Sequence, residues 1–167
     1  SDSKGGIYDE AGLDVESVKR AKDKHNVLKS EYCDGSVCEL KDHTVLTHEE
    51  LLALDVDILV PAALENAINK DNVNDIKARW ITEVANGPIS TDADKVLHKK
   101  GVIIIPDVLA NAGGVIVSYF EWAQNRSGLS WTLEEVRERL KDKLKYSFED
   151  MWLYQHTNKK SSLRQAA

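Results

Sequence analysis

Apolar residues along the chain fall either into short continuous runs or into stripes with helical spacing. Brief runs rich in β-branched residues at 56–60, 80–84 and 102–105 predict strands that are buried on both faces. Helical spacing predicts a helix at about 14–25 with Asp14 as its N-cap, and a weaker pattern predicts another around 73–78. Strands that alternate with helices indicate parallel crossovers, so we expect an α/β fold with a doubly wound parallel sheet.

Polar residues mark where further helices begin and end. Thr47 and Thr132 each stand three residues before a glutamate, which is the pattern of a capping box. Thr91 is expected to cap a helix that ends at Gly101. A long C-terminal helix is predicted at about 133–156, because apolar residues recur there at steps of three and four. We expect this apolar stripe to pack against its own domain rather than against a partner.

The length and composition are those of an ordinary globular protein. With 167 residues we expect a single domain over 1–167, ending in a basic tail at 159–167. The 22 basic and 28 acidic residues give a net charge of −6, which argues against nucleic acid as a partner. No apolar run approaches the roughly 20 residues that span a bilayer, and the polar first residues do not resemble a signal peptide. We therefore expect a cytoplasmic protein that makes no membrane contact.

The two cysteines, Cys33 and Cys38, are separated by four residues, with a turn expected at 34–35 and a short strand at 37–40. A metal site would need two further ligands, and the sequence has no second cysteine pair or paired histidines at metal-binding spacing. We therefore expect no metal. Free reduced thiols are typical of cytosolic proteins and are favoured here, with a local disulfide as the alternative.

The segment 106–122 has the pattern of a binding site. It follows the apolar run 102–105, so a buried strand ends and a polar turn opens a helix. Ligands of open α/β sheets bind beyond the carboxyl ends of strands, against helix N-termini. Asn111 offers an amide at this turn, the paired glycines at 113–114 allow the backbone to approach a bound group, and Ser118 adds a hydroxyl further along the helix.

The same segment, PDVLANAGGVIVSYFEWAQN, is similar to the signature that follows the last sheet strands of glutamate dehydrogenases. Two other segments, DILVPAALENA at 57–67 and EVANGP at 83–88, agree in order and spacing, and the opening SDSKGGI resembles the end of the second Rossmann strand. The match runs from the first residue to about Phe148. The resemblance implies a partial Rossmann-like dinucleotide-binding domain that uses NAD or NADP. The implied reaction is oxidative deamination of L-glutamate to 2-oxoglutarate and ammonium.

The resemblance also implies where the cofactor binds. Asp2 and Ser3 stand where the adenosine ribose would lie. The Asp2 carboxylate would repel a 2′-phosphate and favour NAD, but Lys4 offsets this charge, so cofactor preference stays open. Ala62 and Ala63 follow a strand, where small side chains would let a ribose or nicotinamide approach the backbone. The alternative for Asp2 is a solvated turn residue. For the alanines, the residues alone favour packing, and it is the resemblance that favours a role in binding.

Three further residues are expected at the nicotinamide and substrate side. Asn86 and Asn111 each follow a strand beside small residues, and the resemblance assigns both to the nicotinamide side. Ser118 matches a serine that binds the side-chain carboxylate of the substrate. The alternatives are left-handed turns for the asparagines and a bond to the preceding helical turn for Ser118. Glu83 and Glu121 are interpreted as structural rather than as an acid/base pair.

Parts of the family pattern are missing from the sequence. It contains no G-x-G-x-x-G turn after a strand, and the catalytic lysine and aspartate of the family belong to a separate domain. We therefore expect a domain truncated at both ends, with no catalytic residue in this chain and no turnover alone.

The expected partners are glutamate and 2-oxoglutarate in the full-length parent. The parent is also expected to be a homo-oligomer, which is a hexamer in the family. The alternatives are a branched-chain or aromatic amino-acid dehydrogenase, or a non-catalytic interaction domain that docks through the long helix.

Overall fold

A computed structural model describes residues 1–34, 37–158 and 162–167. The chain divides into two compact units, Ser1–Leu54 and Asp55–Ala167, which are described in turn. The expectation of a single domain over 1–167 stays a prediction. Part of the predicted basic tail, at 159–161, lies outside the described residues.

The first unit combines short antiparallel strands with two helices. Its elements are β1 (Gly6–Tyr8), α1 (Val15–His25), β2 (Ser30–Asp34), β3 (Val37–Lys41), β4 (Thr44–Leu46) and α2 (His48–Leu52). Strand β1 pairs with β4, and β2 pairs with β3. The predicted caps are confirmed, since Asp14 accepts hydrogen bonds from two backbone amides of α1 and Thr47 forms a capping box with Glu50.

Helix α1 is fastened to strand β2 by one buried hydroxyl and one buried carboxylate. The Ser17 hydroxyl donates to the Glu31 carbonyl over 2.7 Å and accepts from the Glu31 amide over the same distance. The Glu31 carboxylate is bonded to the Lys24 ammonium at 2.9 Å, and Arg20 lies 3.7 Å away. The Lys24 ammonium holds the pKa of Glu31 below its ordinary value.

The expectation of free thiols is wrong, because Cys33 and Cys38 form a disulfide. The two residues lie directly opposite each other in the β2–β3 pair, with their Cα atoms 4.1 Å apart. The sequence analysis missed strand β2, so it did not place the cysteines across from one another. The Glu31 carboxylate lies within 4.8 Å of both sulfurs, but sulfurs bonded to each other are not thiolate ligands for a metal. The predicted turn residue Gly35 lies outside the described residues.

The second unit contains a three-stranded parallel sheet, and the α/β prediction is confirmed. Its elements are β5 (Ile58–Leu59), β6 (Trp80–Thr82), α3 (Thr91–Lys99), β7 (Ile103–Ile105), α4 (Asp107–Ala110), α5 (Gly113–Ser127), α6 (Leu133–Thr157) and α7 (Leu163–Ala166). The strand order is β5-β6-β7, and Trp80 pairs with Ile58 on one side and Ile103 on the other. Strand β5 lies at an edge of this sheet and is short. Its Ile58 is exposed, so the expectation of burial on both faces is wrong for this strand.

The apolar core of the second unit lies along β6 and α3 and in the connection between β5 and β6. Its buried residues include Ile68, Val73, Ile76, Ile81, Ala93, Leu97 and Ile104. The helix predicted around 73–78 is wrong, because the backbone forms turns at 70–75 instead. The Asn72 side chain accepts from the Asn69 amide and donates to the Ala67 carbonyl. Such local bonds from asparagine favour turns over helix.

The ends of the helices in this unit follow from their polar residues. Helix α3 is capped by Ser90, whose hydroxyl accepts from the Ala93 amide, so the prediction of Thr91 as the cap is one residue late. Gly101 follows the helix with φ +77°, as predicted for a residue that ends a helix in the left-handed region. The long helix and its Thr132 capping box are confirmed by α6.

Helices α5 and α6 lie largely at the surface. Neither contains a fully buried residue, and Trp122 and Leu153 are more than half exposed. The apolar stripe of α6 is half-buried along most of its length and exposed at Leu133. Phe120 of α5 packs edge-on against Trp131, which precedes α6, with ring centres 5.6 Å apart. Within the described residues, no helix has the length and apolar character needed to cross a membrane.

Replacing both cysteines with serine is expected to lower the free energy of unfolding of the 167-residue chain by about 2 kcal/mol, because the cross-link closes only a short loop. Urea unfolding of the oxidised chain and of the double variant measures this difference. Thiol titration of the unfolded, unreduced chain is expected to find no free thiol, and two after reduction. Two reactive thiols before reduction would contradict the Cys33–Cys38 bond.

Candidate functional site

The carboxyl ends of the three parallel strands are bonded to one another. The Pro61 carbonyl, just after β5, accepts from the Val84 amide at 3.2 Å and the Ala85 amide at 3.0 Å, beyond the end of β6. The Glu83 amide donates to the Ile105 carbonyl at the end of β7 over 3.0 Å. The loops that leave these strands are therefore held side by side, at the edge where open α/β sheets bind ligands.

Asn86 and Asn111, predicted from separate segments, lie in direct contact at this edge. The Asn111 side-chain amide donates to Asn86 Oδ1 over 2.7 Å and to the Val84 carbonyl over 3.3 Å. Among the described residues, Asn86 Nδ2 and Asn111 Oδ1 make no hydrogen bond. The asparagine pair, meaning Asn86 with Asn111, thus keeps one free donor and one free acceptor, which is the complement of a primary carboxamide.

The other residues predicted for this side of the site are exposed. Ala62 and Ala63 follow Pro61 at the end of β5, and both are solvent-accessible. Ser118 lies on α5, and its hydroxyl makes no hydrogen bond within the described parts of the chain. Ser127 of the same helix instead donates to the Ala123 carbonyl over 2.8 Å. The Ser118 hydroxyl is therefore available to a ligand, although no hydrogen bond joins it to the asparagine pair.

The start of α5 leaves open space beside the backbone. A Cβ atom built on Gly113 or Gly114 would meet no atom within 4 Å. The glycines are therefore not required by packing inside the protein. Helix α5 starts just after α4, which follows the end of β7, and ligands of open α/β sheets bind beyond the carboxyl ends of the strands.

Asp2 and Ser3, predicted at the adenosine ribose, lie in the first unit. Asp2 Oδ2 accepts from the Lys22 ammonium over 2.7 Å, and Oδ1 accepts from the Lys4 amide over 2.9 Å. Lys22 and the Lys4 amide hold the pKa of Asp2 below its ordinary value. Ser3 is exposed. Sequence reasoning missed Lys22, which comes from α1. The charge of Lys4 also lowers the pKa of Asp2, as predicted, in addition to the bond from the Lys4 backbone amide.

A buried ionic group behind the asparagine pair was not predicted. Glu83 is 0% exposed, and its Oε2 accepts from the Asp107 amide over 3.2 Å. Arg164 Nη2 lies 3.1 Å from Glu83 Oε1, where the contact is an ion pair without hydrogen-bond geometry. Glu121 is exposed on α5 and does not pair with Glu83, in agreement with the prediction that the two do not form an acid/base pair. The position of Glu83 just after a buried strand was the one available signal.

Burial raises the pKa of the Glu83 carboxyl, because the charged form loses its hydration. The Arg164 guanidinium on α7 and the Asp107 amide on α4 oppose this effect. The carboxylates of Asp107 and of Asp94 on α3 add to it by repulsion. The net effect is a raised pKa, so Glu83 keeps its proton to a higher pH in the folded chain than in the unfolded chain.

Glu83→Gln tests this balance. The wild-type folded state binds more protons than the unfolded state between the ordinary pKa of glutamate, near 4.5, and the raised folded value. The contribution of Glu83 to the free energy of unfolding is therefore fully present below pH 4.5. It is lost as the pH rises through the raised pKa of the folded state. Glutamine does not titrate, so the free energy of unfolding of Glu83→Gln minus that of wild type is expected to increase from pH 4 to pH 8.

Urea unfolding of the 167-residue chain across this pH range makes the measurement, with Glu121→Gln as the matched control at an exposed glutamate. The control is expected to change the free energy of unfolding little, because Glu121 is an exposed surface residue. A pH-independent difference for Glu83→Gln would show that the folded state does not shift the titration of this carboxyl.

The sequence matches a known family over its whole length. The profile of the Glutamate/Leucine/Phenylalanine/Valine dehydrogenase family matches residues 1–167. The NADP-specific glutamate dehydrogenase of Synechocystis sp. is 53% identical over 152 residues, which are 91% of this chain and 36% of that protein. The NAD-specific glutamate dehydrogenase of Staphylococcus aureus is 42% identical over 167 residues, 100% of this chain and 38% of that protein. The chain thus spans little more than a third of the length of these relatives.

Solved structures agree with the family assignment. The hetero-hexameric glutamate dehydrogenase of Thermus thermophilus, in its Leu-bound form, superposes with a TM-score of 0.80 at 30% identity, over 98% of this chain and 36% of that one. The L-tryptophan dehydrogenase of Nostoc punctiforme, at 23% identity and a TM-score of 0.57, shares the fold. Because the family profile covers every residue, the chain belongs to the Glutamate/Leucine/Phenylalanine/Valine dehydrogenase family.

Proposed function

We propose that residues 1–167 are part of the NAD(P)-binding domain of a glutamate dehydrogenase, which converts L-glutamate to 2-oxoglutarate and ammonium. The asparagine pair carries the proposal, because it presents a donor and an acceptor beside the open start of α5. The curated relatives named above are glutamate dehydrogenases, which supports glutamate as the substrate.

The asparagine pair would bind the carboxamide of the nicotinamide ring. Asn86 Nδ2 would donate to the carboxamide oxygen and Asn111 Oδ1 would accept from its amino group. Ala62 and Ala63 would let the ring or its ribose lie against the backbone at the end of β5. When bound, NAD(P) supplies the redox chemistry by taking a hydride from the substrate. The task of these residues is to hold the ring in one orientation.

Both NAD and NADP remain compatible with the first unit. Asp2 and Ser3 would contact the adenosine ribose, and a free Asp2 carboxylate there would repel a 2′-phosphate. The Lys22 ammonium 2.7 Å from Asp2 offsets that charge. The relatives named above include an NADP-specific and an NAD-specific enzyme, which supports either cofactor.

The substrate side of the proposed site is represented by Ser118. Its free hydroxyl would donate to the side-chain carboxylate of glutamate.

We propose that the groups that move protons lie outside residues 1–167, so this chain alone has no turnover. We further propose a homo-oligomeric, cytoplasmic parent enzyme, in which the Cys33–Cys38 disulfide would be an exception to the usual reduced state of cytosolic thiols. The motifs PAAL at 61–64 and ANGP at 85–88 favour glutamate over a branched-chain or aromatic substrate.

Asn111→Ala in the full-length parent tests the proposal. Removing one neutral hydrogen-bonding partner is expected to lower kcat/KM for the cofactor about tenfold, in line with about 1.4 kcal/mol. Steady-state oxidation of glutamate and of leucine is measured for wild type and variant. Wild type is expected to prefer glutamate, and the 167-residue chain is expected to give no steady turnover.

Asn74→Ala is the matched control, because Asn74 is an exposed asparagine in a turn of the same unit. It is expected to leave the kinetics unchanged. A wild-type preference for leucine would point to a branched-chain dehydrogenase. No cofactor binding by the full-length protein would favour the non-catalytic interaction domain.

A further inference from the structure

Arg164, whose side chain is partly exposed, forms an ionic contact with the buried Glu83, which is joined through Asp107 to the backbone beside Asn86 and at Asn111. We propose that both are positioning residues, which fix the geometry of Asn86 and Asn111 through Asp107 and thereby set the affinity for the nicotinamide end of the cofactor. The inference rests on the proposed function. It adds two residues that do not themselves touch a ligand.

Arg164 joins three separate parts of the second unit. Its guanidinium lies 3.1 Å from Glu83 Oε1 at the end of β6 and 3.7 Å from Asp94 Oδ1 on α3. It also donates to the Ile89 carbonyl over 3.3 Å. The neighbouring Leu163 is 2% exposed, so α7 is anchored by apolar burial and the guanidinium is held in place.

Asp107 carries the connection from Glu83 to both asparagines. Its amide donates to Glu83 Oε2, and its own Oδ2 accepts from the amide of Gly87, next to Asn86, over 2.8 Å. Its carbonyl accepts from the Asn111 amide over 3.0 Å. One residue, placed by the buried Glu83, therefore bonds to the backbone on both sides of the asparagine pair.

The electrostatics make this arrangement depend on Arg164. Glu83 Oε1 has no hydrogen-bond partner among the described residues, and the nearby carboxylates of Asp94 and Asp107 repel its charge. Arg164 is the cation that offsets this repulsion. Buried ion pairs add little net stability compared with apolar packing, but removal of one partner leaves an uncompensated charge. Without Arg164, the Glu83 carboxylate has to move or take up a proton. Movement breaks the bond from the Asp107 amide, and protonation weakens it because the acceptor loses its charge.

The test compares Arg164→Met, Arg164→Lys and the double variant Arg164→Met with Glu83→Gln in the full-length enzyme. Equilibrium dissociation constants are measured for NADH, or for NADPH if wild type binds that cofactor more tightly, and for ADP-ribose or its 2′-phosphate, which lack the nicotinamide. Arg164→Met is expected to weaken NADH binding about tenfold and to change ADP-ribose binding less than about twofold. Arg164→Lys, which keeps the charge, and the double variant, which removes the buried carboxylate, are each expected to recover part of the loss.

Arg137→Met is the matched control, at an exposed arginine of α6. It is expected to change neither constant. Equal losses for NADH and ADP-ribose, or no loss of NADH affinity, would overturn the positioning role. If Arg164→Met does not fold, Arg164→Lys and the double variant are judged by the same comparison.

The failure of this inference can be distinguished from the failure of the proposed function. If the wild-type enzyme binds NADH and Asn111→Ala weakens that binding while Arg164→Met does not, only the positioning role is wrong. If wild type binds neither NADH nor NADPH, the proposed cofactor site itself is wrong.

Discussion

The second unit is organised around one buried carboxylate. Glu83 is fully enclosed where the three parallel strands end, and a carboxylate in such a place must find compensating groups. It finds them in the Arg164 guanidinium and the Asp107 amide, which come from different helices. Because these contacts are few and the bond from the Asp107 amide is directional, they fix where the loop after β6 and the start of α4 lie. The positions of Asn86 and Asn111 follow from that placement.

Local patterns predicted much of this fold, because they depend on neighbours in sequence. Short runs rich in β-branched residues identified the parallel strands, and the Thr132 capping box together with the apolar spacing identified α6. That Asn86 and Asn111 lie close together could be predicted from geometry, because the carboxyl ends of parallel strands meet at one edge of the sheet. The outline of the candidate site could therefore be predicted before its supporting contacts were known.

The features that could not be predicted depend on contacts between residues far apart in the sequence, or on side chains that bond the local backbone. Arg164 reaches Glu83 from the far end of the unit, and no spacing rule connects them. Strand β2 carries mostly polar residues, so it gives no apolar signal, and Cys33 was not placed opposite Cys38. Turns form at 70–75 instead of the predicted helix. The Asn72 side chain bonds to nearby backbone groups, and such bonds compete with the backbone hydrogen bonds of a helix.

The central claim is that the asparagine pair binds the nicotinamide carboxamide, and a crystal structure of the full-length protein with NADH bound tests it most directly. The account predicts that the carboxamide oxygen lies within hydrogen-bond distance of Asn86 Nδ2 and its amino group within the same distance of Asn111 Oδ1, at about 2.7–3.2 Å. A nicotinamide ring bound away from both asparagines, with their mutual hydrogen bond unchanged, would contradict it.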